Sequence, residues 1–177
     1  MFQPSRLLQA RPVIALLVVG LSALAGVGPA EAKNKAPLGY QLLCLENPSE
    51  CRGGGGSVAK ANADTLQLLK RINRSINEAI APRSDRGGDH WQTGATAGDC
   101  EDYVLAKRHA LIKAGLPASA LRIAHVQTSS GEGHAVLVVK TTEGDFVLDN
   151  LNGRVRTLAQ IGYRIVSMSG ANPREWS

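Results

Sequence analysis

Apolar residues at Leu66, Leu69, Ile72, Ile76 and Ile80 recur at intervals of three and four, so Val58 to Ala81 is predicted as an amphipathic helix. Lys70, Arg71 and Arg74 fall on its wet side, and Pro82 stops the pattern. Residues 82–98, PRSDRGGDHWQTGATAG, then read as a loop rich in Gly, Asp and Thr. A second helix is predicted from Asp99 to Ala114, with Val104, Leu111 and Ile112 on its buried stripe and Gly115 just past its end, before Pro117. Beyond this point the period changes. Leu121–Gln127, His134–Lys140, Asp145–Asp149 and Ile161–Met168 are short runs rich in Val, Ile, Leu and Phe, separated by Gly-containing turns. Helices first and an antiparallel meander afterwards predict an α+β domain with the helices packed on the sheet.

One apolar stretch has no such period. Arg6 and Arg11 precede Pro12 to Val27, and small residues follow at Ala30 and Ala32. A basic start, an apolar run and a small-residue site predict a signal peptide over 1–32, cleaved after Ala32. A membrane anchor is the alternative, although a span needs about 20 apolar residues. Cleavage would leave 145 of the 177 residues and lower the formal charge from +5 to +4, because Arg6, Arg11 and Glu31 leave with the peptide. The expected location is periplasmic or secreted. The remaining charges are scattered singly, with no basic arm, so no nucleic-acid partner is expected. One domain of this size is expected to be a monomer with a single core.

The chain has three cysteines. Cys44 and Cys51 lie in LLCLENPSEC, within a segment, 33–57, read as an N-terminal loop ahead of a domain at 58–177. In an oxidising compartment they predict a disulfide; two free thiols or half of a metal site are the alternatives. Pairing leaves Cys100, which follows Gly98-Asp99 where a loop enters a helix. There, unpaired N–H groups and the positive end of the helix dipole favour thiolate, while Asp99 and Glu101 oppose it.

A thiolate nucleophile needs a base, and the base needs an orienting group. His134 begins one strand and Asp149 ends the next. If Thr141–Gly144 form a four-residue turn, Lys140 faces Asp145, and His134 and Asp149 become diagonal neighbours on one face, roughly 7 Å apart at Cβ. A two-residue Glu143-Gly144 loop keeps the shared face at a greater separation; a three-residue loop splits the pair between faces. Of the other histidines, His109 reads as solvated surface, His90 as a candidate rim residue, and His125 as a strand position without a carboxylate close in sequence.

At GDCEDY (Gly98–Tyr103), GHAVL (Gly133–Leu137) and DFVLDN (Asp145–Asn150) the sequence resembles the bacterial transglutaminase-like cysteine proteinases, a family that includes LapG-type periplasmic proteases releasing biofilm adhesins. The resemblance runs from about Tyr40 to Met168. It implies a papain-like, transglutaminase-like α+β fold with Cys100 as nucleophile, His134 as base and Asp149 as orienting acid. It implies that Trp91 matches the tryptophan such proteins place in the segment before the cysteine, as a substrate-binding residue, and that calcium is bound by Asp99, Glu101 and Asp102. Carboxylate oxygens suit calcium, although Asp99 as an N-cap with Glu101 and Asp102 as first-turn acids is the simpler alternative. The resemblance also implies a protein substrate, with a surface adhesin and an inner-membrane regulatory receptor as candidate partners.

Three functions follow as expectations. The first is an exported cysteine peptidase; the second is an acyltransferase or deamidase using the same thioester; the third is a calcium-dependent binding module without catalysis.

Overall fold

The computed structural model describes residues 34–85 and 87–177, so the signal peptide expected over 1–32 lies outside the described residues. Three helices come first. α1 spans Leu38–Glu46, α2 Ala63–Ala79 and α3 Cys100–Lys113. α1 corrects the reading of 33–57 as a loop: Tyr40, Leu43 and Cys44 are buried in the main core, so the segment is integral to the domain. Its nine residues end in a Pro/Asn/Ser-rich turn, and Cys44 is bonded to Cys51 across that turn.

α2 starts five residues later than predicted. Asn62 Oδ1 accepts the Thr65 N–H at 2.8 Å and caps the helix. The chain before it is extended, with the Ala59 N–H donating to Lys140 O and the Thr142 N–H donating back to Ala59 O. Beyond α2, Ala81–Pro82 (β1) pairs in parallel with Ala97–Gly98 (β2), so the loop is pinned at both ends. α3 ends in a Schellman motif, with Gly115 N–H donating to Ile112 O and Leu116 N–H to Leu111 O, and Gly115 takes the positive φ of 96° that the motif requires. α3 is buried on several faces, including Tyr103, Val104, Leu105 and Leu111. The predicted single stripe understates a central helix.

Five antiparallel strands follow in the order β6-β5-β4-β3-β7. β3 is Leu121–Gln127, β4 Gly133–Thr141, β5 Gly144–Leu148, β6 Arg156–Thr157 and β7 Arg164–Met168. β3 to β6 form the meander. β7 is shorter than the predicted Ile161–Met168 run, and it crosses back to pair with β3 at the opposite edge. Of the three loop lengths considered, the β4–β5 ladder has the register that sets Lys140 opposite Asp145, and it extends one pair further to Thr141 and Gly144.

The sheet is apolar on both faces. Ile123, Ala135, Leu137, Val139 and Leu148 pack against the helices with Leu105, Leu111 and Trp176. Ala124, Val126, Val136, Val138 and Val147 form a second cluster with Ile161, closed by Leu158, Tyr163 and Met168. Such strands read as nearly continuous apolar runs because neither face meets water.

Candidate active site

Cys100 is the first residue of α3 and is half-buried, the one free cysteine among the described residues. Gly98 brings the preceding loop close to the helix: a Cβ on Gly98 would lie 1.9 Å from Asp102 Oδ2, so only glycine fits there. The thiol donates to Glu101 Oε2 at 2.9 Å. Burial pushes the thiol well above its ordinary range, and the Glu101 charge and hydrogen bond add to this, while the Ala135 N–H on β4 works in the opposite direction. The helix-start advantage is therefore outweighed, and the thiol is held protonated.

His134 stands on β4 with only 5% of its side chain exposed, and its Nε2 meets Asp149 Oδ1 at 2.8 Å. A carboxylate accepts, so Nε2 carries the proton and Nδ1 is left as the basic nitrogen. Asp149 is held from several sides. Oδ1 also accepts the Leu151 N–H at 2.9 Å, and Oδ2 accepts the Tyr163 hydroxyl at 2.9 Å. Burial would raise this carboxyl, but the hydrogen bonds from His134, Leu151 and Tyr163 keep it below its usual range. The Tyr163 ring also packs edge-on against the imidazole, with centroids 6.0 Å apart. From α2, Asn77 Nδ2 donates to the Asp149 carbonyl at 2.9 Å. Sequence reasoning missed Tyr163 and Asn77, which act across 14 and 72 residues and carry no local motif.

A cleft of about 230 Å³ opens beside these groups, lined by Glu101, His125, Val126, Gly133, His134 and Val166. Val166 is the extra residue of a β-bulge, since β3 pairs Ser167 with His125 and Ile165 with Val126. Bulges of this kind re-aim side chains next to functional sites. A larger depression of about 650 Å³ beside α1 is lined by Ala36, Tyr40, Leu45 and Pro48 and holds no acid–base set.

A scan against known protein families matches residues 30–177 to the bacterial transglutaminase-like cysteine proteinases. The chain belongs to this family. Among solved structures, the calcium-bound LapG of Legionella pneumophila is 23% identical and superposes with a TM-score of 0.55, covering 63% of this chain and 68% of that one. LapG from the same organism after EGTA treatment is likewise 23% identical, with a TM-score of 0.53 over 62% of this chain and 64% of that one. The likeness is one of fold, and the chain spans about two thirds of those chains. No curated protein sequence matches.

As a member of the bacterial transglutaminase-like cysteine proteinases, the chain also has an acidic segment around its cysteine to account for. Glu101 faces the cleft, with Oε1 4.0 Å from His125 Nε2. Burial, together with a hydrogen bond and repulsion from Asp99, raises the Glu101 carboxyl to about 7. Asp102 turns the other way and is fully buried: Oδ1 accepts the Gln92 N–H at 3.1 Å, and Oδ2 has no hydrogen-bond partner. Among the described residues no three His, Cys, Asp or Glu side chains converge as a cation's ligands. The oxygen donors are of the kind that suits a hard cation, but with Asp102 buried behind the helix start they do not converge on one point in this arrangement.

Trp91 differs from expectation. It is 2% exposed, its indole N–H donates to Asp89 Oδ1, and its ring packs on Tyr40 and His125. It is thus a wall behind the cleft rather than a surface for substrate. His125 sits between Trp91 and Trp176, and burial lowers its pKa, so it lines the cleft as a neutral ring. His109 is exposed and bonded to Glu50, and His90 lies with Arg83, Ser84, Asp85 and Gln92 around a separate depression.

Proposed function

We propose that this cysteine proteinase is exported and cleaves a protein substrate through Cys100, His134 and Asp149. The observation that carries the reading is the buried His134–Asp149 pair, with His134 next to Ala135, whose N–H faces the Cys100 thiol. In this mechanism the thiol turns from Glu101 to His134, and Nδ1 takes its proton. The sulfur adds to the peptide carbonyl, and backbone N–H groups at the start of α3 receive the oxyanion. His134 returns the proton to the leaving amine. Water, deprotonated by the same nitrogen, then hydrolyses the thioester and restores the thiol. Asp149 keeps the imidazole in the required tautomer and stabilises the imidazolium.

Calcium held by Asp99 and Glu101, with Asp102 turned back toward them, would supply positive charge that offsets the carboxylates crowding the thiol. The matched LapG structures include a calcium-bound and an EGTA-treated form, which supports looking for that ion here. A surface adhesin as substrate, a periplasmic or secreted location and a regulatory receptor in the inner membrane belong to the same reading.

The test is covalent labelling of the purified protein by a thiol-reactive peptide electrophile, with calcium and with a chelator. Labelling confined to Cys100, faster with calcium, is expected; absence of label under both conditions overturns the reading. Comparing the surface proteins of wild-type and Cys100→Ala cells then identifies the substrate. A crosslinked or deamidated product in place of a shortened one would reassign the reaction to acyl transfer.

A further inference from the structure

α3 carries a buried charge that this mechanism does not use. Lys107 lies two turns beyond Cys100 and is fully buried, and its Nζ has no hydrogen-bond partner among the described residues. Its ammonium stands 5.7 Å from the centre of the Tyr103 ring, whose hydroxyl is committed to Ile80 O. The acid whose charge acts on it is Asp149.

Asp149 also opens a segment that α2 grips. Asn77 Nδ2 donates to Asp149 O at 2.9 Å, and Asn73 Nδ2 to Asn152 O at 3.2 Å. The amide oxygens of Asn73, Asn77 and Asn150 are buried without a donor. An ammonium has three donors and no acceptor, and an amide oxygen only accepts. α2 and α3 pack against each other, with a buried unpaired donor on one helix and buried unpaired acceptors on the other helix and in the segment it grips. Buried polar groups of opposite kind in one layer point to a network, closed directly or through ordered water.

We propose that Lys107 is a positioning residue for the His134–Asp149 pair: with Asn73 and Asn77 it fixes the Asp149 segment against the helix that bears Cys100. This rests on the catalytic reading above. Lys107 touches none of the reacting atoms and acts through Asp149, whose two oxygens are already given to His134, Leu151 and Tyr163. The charged and titratable groups around it are Asp149, with His134 and Tyr163 beyond, and Tyr103 on its own helix. Burial lowers the Lys107 ammonium to about 7 and the Asp149 charge pulls it back up, an attraction felt through the layer without a direct hydrogen bond between the two.

The experiment compares Lys107→Met and Asn77→Ala with the wild-type protein. Lys107→Met keeps the shape of the side chain and removes the charge, and a buried charge replaced by an apolar group of similar volume need not destabilise a fold. For Lys107→Met we expect Tm within a few degrees of wild type, KM within twofold and kcat reduced at least tenfold. Asn77→Ala is expected to reduce kcat in the same way, and the double variant to lose less than the product of the two single losses. A structural role predicts instead a loss of active protein that follows the loss of folded protein. A kcat within twofold of wild type in folded Lys107→Met overturns the proposal; if that variant does not fold, the same result in Asn77→Ala does so.

A second readout needs no turnover. The His134 Nε2–H proton, bonded to Asp149, is expected as a slowly exchanging downfield resonance in the wild-type NMR spectrum and to exchange away in Lys107→Met. If the wild type has this resonance but no peptidase activity, the catalytic reading fails while the positioning proposal is still decided by the spectrum. A resonance that persists unchanged in Lys107→Met overturns the positioning role.

Discussion

The two halves of the site are built in opposite ways. On the sheet, His134 and Asp149 form a closed set in which each carboxylate oxygen has a donor and the imidazole has a single tautomer. At the start of α3, Cys100, Glu101 and Asp99 crowd negative charge around a thiol that donates to a carboxylate. One half is finished by its neighbours. The other is held in a resting arrangement by carboxylates one residue to either side of the nucleophile. Preorganisation has thus been invested in the base and its orienting acid, while the state of the nucleophile depends on charges that a cation or a substrate can alter.

The comparison breaks most severely if Asp149 is dispensable. Asp149→Asn is expected to lower kcat by about 10³ to 10⁴, since the amide disfavours the tautomer that leaves Nδ1 basic; steady-state kinetics on the folded variant decide this. Next in size is Gly98→Ala, where the new Cβ meets Asp102 Oδ2. A loss of about 1–3 kcal/mol in a urea titration is expected, as for other overpacked positions. Tyr163→Phe removes one of the donors to Asp149 and should cost about 1 kcal/mol in stability. It should also weaken the acid resistance of the pair, visible as an earlier acid unfolding midpoint.

The smallest effect separates the halves by their response to pH. Asp149, held below its ordinary range, contributes stability that is present above its unfolded pKa and lost as the pH falls through the folded one. Glu101 runs the other way. Its carboxyl rises from an ordinary 4.5 to about 7 in the fold, so its contribution is present below the unfolded value and is lost as the pH climbs through about 7. In chelator, Glu101→Gln should flatten the decline of Tm across that window and speed alkylation of Cys100 severalfold at neutral pH. An unchanged Tm profile would mean that Glu101 is not the group under strain.

What could be read from the chain follows the range of the forces involved. The β4–β5 hairpin was legible from the sequence, but its register only as one of three loop lengths, since alternation alone does not separate the four-residue from the two-residue loop. The limits of α3 were legible from Gly98-Asp99 at one end and Gly115 at the other. α1 was not, because nine residues with no side-chain cap lie against a turn rich in Pro and Asn that reads as irregular. β7 was legible as a strand but not as the partner of β3, since alternation does not specify which edge a returning strand takes. At the site, residue types and spacing singled out Cys100, His134 and Asp149. The direction of the Cys100 thiol, the Tyr163 hydroxyl and the Asn77 amide depend on rotamers and on contacts between distant segments, which no spacing encodes.

The bulge at Val166 has a further consequence, for solubility. A sheet whose central strands are apolar on both faces risks recruiting other chains along its open edges. Here β6 offers only two residues at one edge. At the other, β7 is five residues long, is broken by the bulge, and is partly capped where Met168 and Ser177 exchange backbone hydrogen bonds. The irregularity that turns Val166 toward the cleft also leaves too little flat edge to template aggregation.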